Sequence, residues 1–391
     1  MKRPIYLDHH ATTPVDPRVL EAMLPHFVED FGNASSGTHV YGWRAEAAVE
    51  VSRQTLAEGI GAAEPAEIVF TSGTTEANNL ALQGVLRAAA PRRDHLVTTV
   101  IEHPSVLDVG RALEAQGFRV DRVPVDGHGL VDPDDVARAL TDQTALVSVM
   151  TANSEIGTIQ PIREIAAHCR ERGVLFHSDA AQAVGKLAVD VRADGIDLLS
   201  MCAHKLYGPK GVGALYVRAG RPRLRLQPLS YGGGHEGGLR PGTLPVPLIV
   251  GFAHALSLAR EGLAAEAVRV GALRDRLWSR LCEALDDLHC NGHPQRRLPG
   301  NLNVSFGGVS ADQLLPTLPD LALSTGSACA SGRAEPSHVL AALGLPKSRV
   351  RSALRLGLGR GNDQAQIDRA AERLIEEVQR IRSGGARGPG R

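Results

Sequence analysis

The sequence predicts an α/β protein: a mostly parallel sheet flanked by helices, followed by a smaller α+β C-terminal domain. Three observations carry this prediction. Between about residues 65 and 217, short apolar runs alternate with helical patterns, the strand–helix–strand rhythm of a parallel sheet covered on both faces. After Tyr231 the texture changes, because Gly232-Gly233-Gly234-His235-Glu236-Gly237-Gly238 is too rich in glycine for regular structure and reads as a loop. Beyond a long helical pattern, the remaining strands and helices no longer alternate.

Ile68-Val69-Phe70-Thr71 is β-branched and aromatic, so it reads as a strand. It ends at Ser72-Gly73, and 74–90 then follows as a helix. Strand patterns recur at 95–100, 118–125, 145–150, 174–177, 197–201 and 213–217, with helical patterns at 105–116, 132–140 and 162–172. A long helical stretch covers 246–287, with a break expected near Gly262 or Gly271. The C-terminal part reads as a strand at 302–306, a helix at 311–318, a strand at 322–324 and helices at 348–355 and 364–381. The domain change is placed near residue 260. Residues 1–260 form a large domain whose first 15 or so residues pack on the small domain, 261–382 form the small domain, and the Gly- and Arg-rich 383–391 is expected to be a disordered tail.

Of the 391 residues, 43% are hydrophobic and 22% charged, ordinary for a globular protein, while only 4% are aromatic. The core therefore rests on Leu, Val, Ile and Ala. The 43 basic and 43 acidic side chains cancel, which leaves no electrostatic footprint for nucleic acid and suits a small polar substrate. Five cysteines at irregular spacing, with no CxxC pair, argue against a disulfide framework or a zinc site and for reduced thiols in a cytoplasm. The start lacks the apolar core of a signal peptide. No apolar run reaches the ~20 residues of a membrane span. A soluble, cytoplasmic protein without a membrane partner is expected.

The strongest local constellation is His177-Ser178-Asp179-Ala180-Ala181-Gln182 followed by Cys202-Ala203-His204-Lys205. Asp179 ends one predicted strand and Lys205 follows the next, and ligands of an open parallel sheet bind at that edge. A lysine that carries pyridoxal phosphate needs a carboxylate on the pyridinium nitrogen. Lys205 and Asp179 suit the two roles, and Gln182 suits the ring's phenolic oxygen. Taken singly, the lysine also reads as a surface residue and the aspartate as a turn or cap. Thr71-Ser72-Gly73-Thr74-Thr75-Glu76 is a strand, glycine turn and helix start, which reads as a phosphate seat or as an ordinary helix cap. His103, just past a strand end, suits ring stacking or proton transfer, or a surface position. Cys329 lies in Ser324-Thr325-Gly326-Ser327-Ala328-Cys329-Ala330-Ser331-Gly332-Arg333, with few apolar neighbours to bury it, so it is a candidate nucleophile. Arg355 suits a substrate carboxylate or a solvated face.

In this order the pieces resemble the cysteine desulfurases, in the class V aminotransferase group of fold-type I pyridoxal-phosphate enzymes. The likeness runs from Tyr6-Leu7-Asp8 to about Leu358-Gly359-Arg360 and includes Ala11-Thr12-Thr13-Pro14, Asn153-Ser154-Glu155-Ile156-Gly157, His204-Lys205-Leu206-Tyr207-Gly208-Pro209-Lys210-Gly211, Gly242-Thr243 and Gly326-Ser327-Ala328-Cys329. The resemblance implies a fold-type I large domain and pyridoxal 5'-phosphate as cofactor. It makes Lys205 the Schiff-base lysine and proton shuttle, Asp179 the partner of the pyridinium nitrogen, and His103 the residue stacked on the ring. It assigns the phosphate to Thr74, Thr75 and His204, with Thr243 from the other subunit of a homodimer. Asn33 and Arg355 would hold the carboxylate of L-cysteine. Cys329 would take the sulfur as a persulfide, leaving alanine, and pass it to an acceptor protein in iron–sulfur cluster assembly, tRNA thiolation or a similar pathway.

Two positions depart from the family's pattern: Asn153-Ser154 stands where two asparagines are usual, the second of them on the cofactor's phenolic oxygen, and Cys202 replaces a serine that faces the phosphate. A selenocysteine lyase or a small-amino-acid transaminase would share the fold, and a sulfur carrier would have lost catalysis. The small-residue stretch around Cys329 argues against a transaminase, and the joint presence of Lys205, Asp179 and His103 argues against a carrier.

Overall fold

The computed structural model describes residues 3–220, 224–325 and 336–384. Its strands in chain order are β1 (Ile5–Tyr6), β2 (Ile68–Thr71), β3 (His95–Thr99), β4 (Arg119–Val123), β5 (Thr144–Ser148), β6 (Leu175–Asp179), β7 (Leu198–Cys202), β8 (Gly213–Val217), β9 (Leu288–Asn291), β10 (Asn301–Phe306), β11 (Leu321–Ala322) and β12 (Ala353–Gly357). Seven of them form the main sheet in the order β2-β8-β7-β6-β5-β3-β4. Only β8 runs antiparallel to its neighbours, so the carboxyl ends of the other six open on one edge. The fold class is the one the sequence predicts.

Successive strand residues face opposite sides of a sheet, and the two cores obey that period. Ile68, Phe70, Val97, Val147, Leu199 and Tyr216 join one cluster, with residues of the helices Val40–Gly59, Ile162–Glu171 and Val246–Ala284. Val69, Leu96, Leu146, Leu198 and Leu215 join the other, under the helices Thr74–Ala89 and Pro104–Glu114. Burial on both faces explains why the strands read as continuous apolar runs.

A further cluster gathers Val270, Leu273, Leu277 and Leu281 of the long helix with Leu302, Val304, Leu354 and Leu356, closed by Ile367, Leu374 and Val378 of Gln364–Arg382. The antiparallel sheet β12-β10-β9 forms its floor. The N-terminal segment joins this region: β1 pairs in parallel with β11, and Leu7 is buried in the cluster.

Two expectations are corrected. Val246–Ala284 is one unbroken helix; Gly262 and Gly271 lie where an added Cβ would meet nothing, and a glycine costs a helix only about 1 kcal/mol. The stretch 348–355 is not one helix. A short helix, Lys347–Arg351, ends before β12. There Leu354 and Leu356 enter the small core while Arg355 turns the other way, a period of two. The long helix is also apolar enough over part of its length to cross a bilayer by composition, but Ile249, Phe252, Ala255 and Leu256 are buried in the core. The glycine-rich loop holds only a 3-10 turn, Glu236–Gly238. The expected tail falls outside the described residues from 385 onward.

Candidate active site

A cleft of about 590 Å³ opens at the carboxyl edge of the main sheet. The loops after β2, β3, β5, β6 and β7 supply most of its wall, and Arg355 enters from β12. Thr74, Thr75, His103, Asn153, Ser154, Asp179, Gln182, Cys202, His204, Lys205 and Arg355 all line it.

Asp179 ends β6 and is buried. Its Oδ1 accepts from the Ala181 N–H at 3.0 Å and its Oδ2 from Asn78 Nδ2 at 2.8 Å. Asn78 Nδ2 also donates to Ser105 Oγ at 2.8 Å, and that oxygen lies 2.8 Å from His103 Nδ1. One chain of hydrogen bonds thus joins the carboxylate to the histidine. His103 Nδ1 accepts from the Ser105 N–H at 3.1 Å, so a neutral ring carries its proton on Nε2. His103 also caps the helix Pro104–Glu114, which fixes its backbone at the cleft.

Lys205 follows β7 in a single 3-10 turn. Its Nζ donates to the carbonyls of His10 and Ala11 at 2.5 and 2.7 Å. Just beyond it, Tyr207 holds a left-handed φ of 68°, unusual for a bulky residue. The Tyr207 N–H donates to Thr13 Oγ1 at 2.8 Å, and its hydroxyl accepts from the Arg360 N–H at 2.5 Å. Those bonds hold the turn that aims the lysine. Gln182 Nε2 donates to the His10 carbonyl at 2.9 Å, and its Oε1 meets His10 Nδ1 at 3.0 Å and Lys186 Nζ at 2.8 Å.

The helix Thr74–Ala89 starts at this edge with Gly73 as its cap residue and no side-chain cap. The first amides of a helix have no carbonyl below them, so those of Thr74, Thr75 and Glu76 face an open seat with a partial positive charge. Thr74 Oγ1 is buried there without a hydrogen-bond partner. Gly213 lets the turn close: a Cβ on it would lie 2.6 Å from Gly73 Cα and 2.6 Å from the Met201 carbonyl oxygen. His204 Nδ1 lies 3.2 Å from Thr12 Oγ1. Burial, with Lys205 and Lys210 nearby, lowers its pKa to about 4. Cys202 is buried at the same place, and burial pushes its thiol up. A helix N-terminus with an orphaned hydroxyl, an amine and a carboxylate around one cleft fits pyridoxal phosphate: anion seat, covalent anchor and ring-nitrogen partner.

Three assigned residues behave differently. Asn153 lines the cleft, but its amide is taken up by the chain itself: Nδ2 donates to the Ile101 carbonyl at 3.0 Å, and Oδ1 accepts from the N–H groups of Glu155 and Ile156 at 2.8 and 3.1 Å. Asn33 and Thr243 are exposed, and neither lines the cleft of this one chain. Asn33 Oδ1 instead accepts from the Ser35 N–H at 2.9 Å. Arg355 is buried and pairs with Asp8 at 2.8 Å. Ser154 contributes its carbonyl to Arg355 at 3.4 Å. Cys329 falls outside the described residues, whose neighbours on both sides reach this region. Ser324 bridges Arg355 and hydrogen-bonds Asp8, while His338 and Val339 line the cleft.

Several residues in the cleft wall or directly behind it had no role in the sequence reading. Asn78 is one; its signal was a polar side chain among the buried Ala77, Leu80 and Ala81 of an otherwise apolar helix face. Two acids are the others. Burial raises Glu102 to about 8 while its carboxyl accepts from Thr99 Oγ1 and the Met150 N–H. Burial also raises Glu155, whose Oε2 accepts from Ser337 Oγ at 2.5 Å.

The comparisons agree with this geometry. The family described as aminotransferase class-V matches residues 5–370. A cysteine desulfurase IscS of Anaeromyxobacter sp. (strain Fw109-5) is 52% identical over 382 residues, covering 98% of this chain and 94% of that protein. A solved NifS-like protein superposes with a TM-score of 0.90 at 35% identity, over 96% of this chain and 99% of that one. A structure titled SspA in complex with cysteine gives a TM-score of 0.81 at 38% identity, over 90% and 98% of the two chains. Matched by the family over most of its length and by relatives over nearly all of it, the chain belongs to the class-V aminotransferase family and, within it, to the pyridoxal-phosphate-dependent cysteine desulfurases.

Proposed function

We propose that the cleft removes sulfur from free L-cysteine, with Lys205 as the covalent anchor of the cofactor and Cys329 as the sulfur acceptor. The observation that carries this reading is the convergence of Lys205 and the buried, doubly hydrogen-bonded Asp179 on one cleft. Bound pyridoxal phosphate supplies an electron sink that eases loss of the substrate Cα proton and cleavage of the Cβ–S bond.

The chain's residues do the rest. The amides of Thr74 and Thr75, Thr74 Oγ1 and His204 hold the phosphate. Asp179 keeps a proton on the ring nitrogen, and Asn78 and Ala181 hold the carboxylate in place for it. Gln182 and Ser154 would serve the phenolic oxygen and Cys202 the phosphate. With the cofactor bound, His103 would hold its ring and Lys205 Nζ would move the substrate's Cα proton. Arg355 meets the substrate carboxylate, exchanging part of its contact with Asp8 for the ligand. The substrate's Cβ–S bond breaks and an S–S bond forms at Cys329. Alanine leaves with a proton on Cβ, and the persulfide passes its outer sulfur to an acceptor protein.

The working unit is a homodimer. Among the described residues, exposed large apolar side chains concentrate between residues 20 and 51, including Leu24, Phe27, Val28, Phe31 and Trp43. A patch of that kind marks an association surface. Thr243 and Asn33, exposed and off the cleft of their own chain, suit a site completed across that surface by a second copy.

The deciding experiment is Cys329→Ala assayed with L-cysteine for alanine and sulfide. The expected result is retained cofactor colour with sulfur transfer abolished. Unchanged turnover would reject Cys329 as the acceptor, and a keto acid in place of alanine would make the protein a transaminase.

A further inference from the structure

Gln182 lies between two amines. On one side, Lys186 Nζ donates to its Oε1 at 2.8 Å; on the other, Gln182 Nε2 and Lys205 Nζ donate to the same His10 carbonyl, at 2.9 and 2.5 Å. An ammonium has three donors and no acceptor, and a carbonyl only accepts. Both neighbours therefore demand the same orientation of the amide, oxygen toward Lys186 and nitrogen toward His10. With Oε1 held this way, the second Nε2 hydrogen is the group Gln182 has left for the cleft it lines.

We propose that Lys186 is a positioning residue for the cofactor: its buried amine locks and polarises the Gln182 amide so that Gln182 presents an N–H, and not its carbonyl, to the bound ring. The inference rests on the reading that the cleft holds pyridoxal phosphate. An N–H donor on Oε1 strengthens the opposite N–H, since linked hydrogen bonds polarise one another. An N–H donor favours an anionic phenolic oxygen. A stabilised anion, in turn, releases the proton it shares with the anchoring nitrogen of Lys205 at lower pH.

The surroundings set the charge of that amine. Lys186 faces Lys205, Cys202, Arg355 and Glu266, with His9 and His10 against it from the N-terminal segment. Burial, then the charge of Lys205, lowers Lys186 to about 7, so above neutral pH the amine donates to Oε1 as a neutral N–H. Burial likewise keeps His10 neutral, so its Nδ1 can carry the hydrogen that Oε1 accepts.

The test follows the visible absorbance of cofactor-loaded protein across the neutral and alkaline range. Lys186→Met and Gln182→Ala should each raise the midpoint of the colour change by about one to two pH units, the scale of one hydrogen bond to a charged group. The double variant should rise no further than the singles, because both remove one interaction. Lys186→Arg, which keeps the donor, should stay near the parent's midpoint. A parental midpoint in Lys186→Met overturns the proposal, as does additivity in the double variant, which would mean that Lys186 acts by charge alone. If Lys186→Met does not hold the cofactor, Lys186→Leu, which also lacks a donor, replaces it with the same outcomes. A parent that shows no cofactor colour would fail the underlying reading. A coloured parent that turns over cysteine, with an unmoved variant, fails this inference alone.

Discussion

At the scale of residues, the site depends on buried polar groups whose partners come from distant parts of the chain. Glu102 gives the sharpest consequence. Its carboxyl ordinarily titrates at 4.5, and burial raises it to about 8 in the folded protein. Between those values the folded form holds a proton that the unfolded chain has lost. Stability is therefore fully present below 4.5 and falls as the pH rises toward 8, by up to about 1.4 kcal/mol per pH unit from this one group. Glu102→Gln should flatten that decline. Urea unfolding of both proteins at acidic and at mildly alkaline pH measures it, and equal slopes would show that Glu102 ionises normally. The sequence made the chemistry-bearing residues of the motifs legible, Asp179, Lys205, His204 and Thr74 among them, because each lies at or just past a strand end or at a helix start. It could not show that Asn78 braces Asp179 or that Arg355 meets Asp8. Those pairs are 101 and 347 residues apart in the chain, and nothing local announces them.

At the scale of elements, the main sheet was readable because strands buried on both faces give unbroken apolar runs between glycine and proline signals. The small unit was less so. Ser348–Arg355 read as a helix because Arg and Ser dilute the alternation, and only the pairing of β12 with β10 reveals that Leu354 and Leu356 share one face. β9 went unread because the charged and polar Asp286, Asp287 and His289 mask a strand held by its neighbour. The turn between β2 and the helix Thr74–Ala89 carries its own prediction. Gly213→Ala would drive a methyl group into backbone on two sides, and overpacking of that kind costs about 1–3 kcal/mol. The helix start should shift, lowering retention of the cofactor on gel filtration along with the unfolding midpoint. Full retention would mean that the seat tolerates displacement.

At the scale of the whole molecule, the apolar surface between residues 20 and 51 and the exposed Thr243 belong to one expectation. Phe27→Glu combined with Val28→Glu should give a monomer by light scattering at micromolar concentration, with desulfuration lost and the fold retained by circular dichroism. An active monomer would show that one chain completes its own site. The long helix Val246–Ala284 sets a mechanical limit on what such an assembly can do. It is about 58 Å long at 1.5 Å per residue, rooted at one end beneath the main sheet and at the other in the unit that supplies Arg355. A shaft without a joint does not fold across its middle. Arg355 therefore adjusts to an arriving substrate by rotamer changes or by the small sheet rolling about that axis, not by a bend of the helix that joins it to the main sheet.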